Sequence, residues 1–318
     1  MTTVNTAWDH VSQNIFKTWV IFFFFTLFTV GVIYIIARGF GFGDLGGLGI
    51  VGISLIIAGI MNFVSYYWSD KIVLGISRAK PVDEKSNKEL YRLVENLTIA
   101  GGLPLPKIYT IDDSAPNAFA TGRDPKHAAI ALTTGILQKL NKQELEGVVA
   151  HELSHVGNRD TLVMTVVSVL VGTIALLSDF FLRSMWHGGR DNDSDNKGNT
   201  IFLVLALAAA ILAPIVATLI QLALSRRREF LADASGILLT RYPQGLASAL
   251  VKISSDKEPL EVANRGTAHL YIVNPLKGQS AVGSPRSASG AGWFAGLFNT
   301  HPPIQARVKA LQQMEGKV

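Results

Sequence analysis

The length, composition and charge of this chain indicate a membrane protein that carries a soluble part. Its 318 residues are 48% hydrophobic and only 17% charged, with a mean hydropathy of +0.30, which excludes an ordinary soluble enzyme. The absence of cysteine excludes disulfides and limits any zinc site to histidine and carboxylate ligands. The net charge of +5 is not arranged as a basic-aromatic array, so we expect no nucleic acid partner.

Two apolar stretches near the amino terminus predict transmembrane helices. Residues 1–16 are polar and lack the features of a cleaved signal peptide, so they are interpreted as an N-terminal extension. The first span is predicted from Thr18 to Ala37, and the second from Leu48 to Tyr67, after a glycine-rich hinge. Residues 1–68 are therefore predicted to form the extension and transmembrane helices 1 and 2.

Residues 69–160 are predicted to form the first part of a soluble α+β domain. Leucine and valine recur at helical spacing up to Gly101, where a glycine pair ends the helix. Asn141 and Glu144 have the spacing of an N-terminal helix cap with its reciprocal carboxylate. Short strands are predicted for Lys107–Ile111, Asn117–Thr121 and Ala128–Leu132.

A second pair of spans is predicted for residues 161–224. One runs from Leu162 to Phe181 and the other from Ile201 to Leu224, with a polar loop between them. Residues 225–318 would complete the soluble domain, with a Gly/Ser-rich flexible loop at 276–292 and a last helix from Pro303. The fold class is therefore an α-helical membrane protein with four transmembrane helices and a soluble α+β domain.

Basic residues flank the predicted spans unequally. Lys and Arg accumulate on the cytoplasmic side of membrane proteins. Eight such residues lie on one side of the predicted spans and four on the other, which predicts that both termini and the soluble domain are cytoplasmic. The eight are Lys17, Lys71, Arg78, Lys80, Arg159, Arg226, Arg227 and Arg228, and the four are Arg38, Arg183, Arg190 and Lys197.

The sequence H-E-x-x-H occurs in the helix that Asn141 begins. His151 and His155 are four residues apart, so they share one face of the helix and can reach the same zinc ion. Glu152 lies one step around the helix and can act as a general base. The five-residue pattern alone does not distinguish a metal site from a helix whose histidines cap or pair with carboxylates.

A second acidic pattern follows the fourth predicted span. Glu229 and Asp233 also share a helix face, and a two-histidine, one-glutamate set leaves one zinc position open, as in catalytic sites. Asp233 can then accept a hydrogen bond from the free ring nitrogen of a ligating histidine. The hairpin of spans three and four would return Glu229 to the membrane face where His155 lies, which favours this ligand set over two solvated carboxylates.

These motifs together resemble the HtpX-type membrane zinc proteases, which are relatives of the CAAX prenyl proteases. The resemblance rests on the HELSH motif with its hydrophobic hairpin, the pair Glu229 and Asp233, the stretch Asn117–Gly122, and Thr300–Pro303 with Arg307. It implies a zincin-like (gluzincin) endopeptidase of the bacterial inner membrane, acting on misfolded or membrane proteins in quality control and stress response. One Zn²⁺ per chain is implied, with the active site in the cytosol and membrane lipid around the spans.

The same resemblance suggests residues that contact the substrate. His301, before two prolines, is a candidate donor to the oxyanion of the transition state. Asn117, Ala118, Phe119 and Ala120 would form a strand edge on which an extended peptide adds as a further strand. A plain structural strand paired on both sides remains the alternative.

Two other functions remain open at the level of sequence. One is a zinc hydrolase of prenylated or other specific peptides, which product analysis would distinguish. The other is a non-enzymatic membrane scaffold with a structural zinc, which a fourth protein ligand would favour.

Overall fold

In the computed structural model of the chain, the structure describes residues 7–39, 46–188, 226–264, 266–275 and 302–316. The helices are α1 (Ala7–Gly39), α2 (Gly46–Ile76), α3 (Lys88–Gly101), α4 (Thr134–Lys139), α5 (Lys142–Gly157), α6 (Asp160–Gly188), α7 (Arg226–Thr240), α8 (Pro243–Ser255) and α9 (Ile304–Met314). The strands are β1 (Lys80–Val82), β2 (Lys107–Ile111), β3 (Ala118–Thr121) and β4 (Ala129–Thr133). Short 3₁₀ turns cover Pro125–His127 and Ala268–Leu270.

The first two predicted spans lie in helices α1 and α2, which are longer than the sequence predicted. The apolar part of α1 runs over Val11–Tyr34, and that of α2 over Gly47–Ile76, each long enough to cross a bilayer. Large apolar side chains such as Phe23 and Ile56 are 61% and 64% exposed, as expected for contact with lipid. From Ala7 onward, the predicted extension is part of α1. Likewise α2 continues past the predicted boundary at residue 68.

The third predicted span forms the first part of α6, which packs against α1. Buried side chains of α1, including Ile21 and Phe25, share an apolar cluster with Leu162–Ile174 of α6. Helix α6 extends through Gly188, beyond the predicted end of the third span at Phe181. The predicted fourth span, Ile201–Leu224, and the loop 276–292 lie outside the described residues.

A four-stranded sheet has the order β1-β2-β4-β3. Strands β2 and β4 are parallel, and the outer pairs are antiparallel. The three predicted strands are present, whereas the three-residue strand β1 was not predicted. Gly122 turns the chain from β3 toward β4 with φ +129°, and a Cβ there would lie 2.4 Å from the His127 carbonyl oxygen, so the turn requires glycine.

Helix α5 is the central element of the soluble part, and its ends are fixed locally. Asn141 caps its first turn, and Glu144 returns the hydrogen bond, which is the predicted capping box. The helix ends at Gly157, and Arg159 then adopts a left-handed φ of 56°, so that α6 starts in a new direction at Asp160. Helices α3, α7 and α8 pack around α5, which is why its residues 147–156 are all buried.

Candidate active site

The two halves of the predicted metal site meet between α5 and α7. His151 Nε2 lies 3.3 Å from His155 Nε2. The Glu229 carboxylate oxygens lie 3.8 Å from His151 Nε2 and 3.5 Å from His155 Nε2. All three side chains are buried, and one ligand atom from each lies within 4.8 Å of the others. The structure therefore brings together the three residues that the sequence predicted as ligands.

These separations fit a tetrahedral zinc ion. Bonds of about 2.0–2.1 Å at tetrahedral angles place ligand atoms about 3.4 Å apart, close to the distances between these nitrogens and oxygens. Two imidazoles and one carboxylate are also the donor set of catalytic zinc sites with an open position. No other histidine and carboxylate cluster in the part of the chain that the structure describes has this form.

A buried carboxylate holds each histidine ring from the side opposite the cluster. His151 Nδ1 lies 2.9 Å from Asp233 Oδ1, and His155 Nδ1 lies 3.0 Å from Asp160 Oδ2. A carboxylate at Nδ1 keeps the proton there and leaves Nε2 free as a ligand. The contact predicted for Asp233 is thus present, and Asp160 is a second carboxylate of the same kind that the sequence analysis did not identify.

Arg307 of α9 joins the carboxylates of α7 from a fully buried position. Its Nε donates to Asp233 Oδ2 at 2.9 Å, and its Nη2 donates to Oδ1 at 2.6 Å. Its Nη1 lies 3.5 Å from Glu229 Oε2. Burial alone would raise the pKa of Asp233, but the charge of Arg307 and the bond to His151 hold that pKa below its ordinary value. Arg307 therefore keeps Asp233 ionised inside the protein.

Glu152 is 2% exposed and lies beside the ligand cluster. Burial raises the pKa of Glu152 from 4.5 to about 7, and the neighbouring Glu229 charge also raises it. The backbone N–H of Ala120 lies beside this carboxyl group and acts to lower its pKa. A carboxyl group whose pKa lies near neutrality can both accept and return a proton, as a general base requires.

The two histidines differ in their affinity for protons. Burial and the nearby Arg307 charge lower the pKa of His151 to about 4. Burial alone would also lower the pKa of His155, but its hydrogen bond to Asp160 and the Glu229 charge raise it to about 9. In the metal-free protein, His151 is therefore neutral at pH 7, whereas His155 carries a proton.

Strand β3 lies at the end of the sheet, but its edge is not open as the sequence analysis expected. The Ile272 N–H donates to the Ala118 carbonyl at 3.0 Å, and the Asn117 side-chain amide donates to the Val273 carbonyl at 2.9 Å. All residues of β3 are buried. The Asn117 amide is therefore already bonded in this structure, because the chain at 271–273 runs beside the start of β3. Ala120, nearer to Glu152, is not part of these two contacts.

Two residues of this site escaped the sequence analysis as functional groups. Asp160 follows the H-E-x-x-H helix after a left-handed residue, and only the resulting bend directs its carboxylate back to His155. Arg307 was noted as part of a family pattern, but nothing in its spacing reveals a partner 74 residues earlier. His301 lies outside the described residues.

A glutamate beside a two-histidine, one-glutamate cluster, in a chain with apolar helices, is an arrangement typical of membrane metalloproteases. Comparison with known proteins gives the family. The sequence profile of peptidase family M48 matches residues 84–315, which is more than half of the chain, and the chain therefore belongs to peptidase family M48.

Two of the similar proteins match this chain over nearly the full length of both sequences. The protease HtpX homologue of Caldanaerobacter subterraneus subsp. tengcongensis is 42% identical over 316 residues, covering 98% of this chain and 99% of that protein. The protease HtpX homologue of Pyrococcus furiosus is 44% identical, covering 94% and 95%. A crystal structure of S. mikatae Ste24p matches with a TM-score of 0.48 and 20% identity, covering 88% of this chain and 62% of that one.

Proposed function

We propose that this metalloprotease is a zinc-dependent endopeptidase of the bacterial inner membrane with its active site in the cytosol. It would cleave misfolded or membrane proteins, in protein quality control and the response to stress. The observation that carries the proposal is the buried cluster of His151, His155 and Glu229, with Glu152 beside it. One zinc ion per chain would be held by these three residues.

The residues around the cluster would have different roles in the reaction. Bound zinc would polarise the scissile carbonyl and lower the pKa of the attacking water. Glu152 would take a proton from that water and later give it to the leaving amine. Asp233 and Asp160 hold the histidine rings by their Nδ1 atoms. His301 remains our candidate donor to the oxyanion.

A structural zinc in a non-enzymatic scaffold has less support. The cluster offers three ligands, and among the described residues no fourth histidine or carboxylate joins it apart from Glu152, which the sequence pattern assigns as the base. A hydrolase of prenylated peptides would use the same residues, and analysis of the cleavage products separates it from a general endopeptidase.

The experiment that tests the function is degradation of casein by the full chain purified in detergent, with and without added zinc. Glu152→Gln should retain zinc, measured by atomic absorption, because Glu152 is not among the ligands, and it should lose hydrolysis. Equal turnover by the variant and the wild type would refute the mechanism. Wild-type protein that binds zinc and cleaves no peptide would favour the scaffold.

We also propose that the peptide substrate adds to the end of β3 that lies near Glu152. The N–H of Ala120 lies near the Glu152 carboxyl group, so a peptide paired there would lie beside the base. Pairing through the main chain needs little sequence preference, which suits a protease that clears misfolded proteins. The segment 271–273 occupies the start of the strand, so the peptide would follow it along the edge.

Replacement of Ala120 by proline removes this backbone donor. Ala120→Pro should raise the KM for an unstructured peptide, because one pairing bond is lost, while zinc content stays intact. A loss confined to kcat would mean that the N–H serves only to orient Glu152. Unchanged KM and kcat in a folded, zinc-loaded Ala120→Pro protein would show that the substrate binds elsewhere.

A further inference from the structure

The carboxylate that holds His155 is itself held by the first membrane helix. Asp160 is 1% exposed, and its Oδ2 is directed at His155 Nδ1. Its other oxygen, Oδ1, accepts a hydrogen bond from Asn14 Nδ2 at 2.8 Å. Asn14 lies in the first turns of the apolar part of α1 and is 2% exposed. A residue 146 positions earlier in the chain is thereby joined to a candidate metal ligand through one side chain.

Asn14 makes three further contacts at this junction. Its Nδ2 also donates to the Asn158 carbonyl at 2.9 Å, at the end of α5. Its Oδ1 accepts from Arg228 Nη1 at 3.4 Å, and the same Arg228 atom lies 3.4 Å from Asp160 Oδ1. Its backbone carbonyl accepts from the Thr18 hydroxyl. The side-chain amide therefore meets α5, α6 and α7 at one buried point.

The physical reason for such an arrangement is the cost of a buried carboxylate. An ionised group away from water is retained only when its oxygens are hydrogen-bonded or paired with charge. With Oδ1 held by Asn14 and Arg228, Asp160 can turn only Oδ2 toward His155. That orientation places the ring proton on Nδ1 and leaves Nε2 for the metal.

We propose that Asn14 is a positioning residue for the metal ligand His155, acting through Asp160. The amino-terminal end of the first membrane helix then helps to position a metal ligand, in addition to anchoring the chain in the membrane. The proposal rests on the proposed zinc site of His151, His155 and Glu229. It gives the polar start of α1, to which the sequence analysis assigned no role, a function in the site.

The test is the zinc affinity of the full chain in detergent, measured by chelator competition, for Asn14→Leu, Asp160→Ala and the double variant. Asp160→Ala should weaken zinc binding by roughly 10- to 100-fold, the scale for a direct outer partner of a ligand. Asn14→Leu should weaken it by about tenfold, at the lower end of that scale. In the Asp160→Ala background, Asn14→Leu should change the affinity by less than about twofold, because coupled residues are not additive.

Asn62 supplies a matched control. Its side-chain amide also joins two membrane helices, since Nδ2 donates to the Thr26 hydroxyl of α1 at 2.8 Å, and neither residue contacts the cluster. Asn62→Leu removes a half-buried amide that joins two membrane helices, and it should leave the zinc affinity unchanged. An equal loss in both variants would mean that helix packing alone is responsible.

The outcomes separate this proposal from the proposed function. Wild-type protein without zinc affinity would refute the metal site itself. Wild-type protein that binds zinc, together with unchanged affinity in Asn14→Leu, would overturn only the role of Asn14, as would additive losses in the double variant. If Asn14→Leu does not fold, the smaller change Asn14→Ala takes its place in the same cycle and is judged by the same outcomes.

Discussion

At the scale of single residues, the site pairs two histidines with opposite proton affinities. His155 is surrounded by the carboxyl groups of Asp160, Glu229 and Glu152, which raise its pKa to about 9. His151 lies beside the Arg307 guanidinium, and its pKa is about 4. Zinc requires both imidazoles to be neutral at Nε2, so metal and protons compete at His155 but not at His151.

This difference predicts how many protons zinc displaces. At pH 7, binding should release about one proton from His155, because pH 7 lies below its raised pKa, and none from His151, because pH 7 lies above its lowered pKa. The apparent zinc affinity should therefore fall about tenfold per pH unit as the pH is lowered from 9 to 5. Calorimetry in buffers of different ionisation enthalpy measures the release directly.

The measurement is made on both the wild type and Glu152→Gln, because the Glu152 carboxyl group titrates near pH 7 itself and its charge also helps to raise the pKa of His155. Release of two protons at pH 7 would show that His151 is protonated as well. Release of none would show that the carboxylates around His155 do not hold a proton on it.

Sequence patterns could identify the candidate ligands and Asp233, but not Asp160 or Arg307, which also orient the site. The four-residue spacing of His151 and His155 follows from helix geometry alone. Arg307 and Asp160, in contrast, acquire their roles from tertiary structure, through the docking of α9 and through the bend at Arg159. Nothing periodic in the sequence records such a contact.

At the scale of secondary structure, the elements with local signals were predicted well. The capping box of α5 and the glycine end of α3 depend on residues a few positions apart, so they can be read from the sequence. Strand β1 has only three residues and is held by β2 alone. The sequence of the segment 271–273 beside β3 shows no secondary-structure signal, because its conformation depends on contacts with Asn117 and Ala118.

The contact between α5 and α7 sets the distance from the histidines to Glu229. Gly236 of α7 lies against the backbone of α5, and a Cβ there would be 3.0 Å from His151 N and 3.1 Å from the Ala150 carbonyl carbon. Backbone atoms of α5 cannot move away from this Cβ as the end of a flexible side chain could. The two helices would have to separate by a few tenths of an ångström.

We therefore predict that Gly236→Ala weakens zinc binding. The gain of about 1 kcal/mol in helix propensity is offset by about 1–3 kcal/mol of overpacking strain, so the metal-free protein should also unfold at a lower temperature. Chelator competition and thermal unfolding in detergent measure the two effects.

Gly75 of α2 provides the control, since a Cβ there would meet nothing within 4 Å. Gly75→Ala should leave the zinc affinity unchanged and should not lower the unfolding temperature. Wild-type zinc affinity in Gly236→Ala would show that the close approach of α7 to α5 does not set the ligand geometry.

At the scale of the whole molecule, the beginning of α1 and the end of α2 each make a hydrogen bond to another part of the fold. The start of α1 contacts the start of α6 through Asn14 and Asp160. The residue after α2, Ser77, accepts a hydrogen bond at 3.4 Å from the Tyr271 hydroxyl of the soluble part. Helix α1 therefore begins beside the candidate active site, and α2 ends against the soluble part.

The excess of Lys and Arg near these same ends predicts that this face is cytoplasmic. A reporter that is active only in the cytoplasm should therefore work when fused after Arg78, Arg159 or Val318. It should fail after Gly41, which follows α1, and after Asn192, in the predicted loop between spans three and four. Activity at both Arg78 and Asn192 would contradict the four-span arrangement, because α6 leads away from the face on which Asp160 lies. Activity only at Gly41 and Asn192 would keep the spans and reverse the orientation, placing the proposed protease site on the outer side of the membrane.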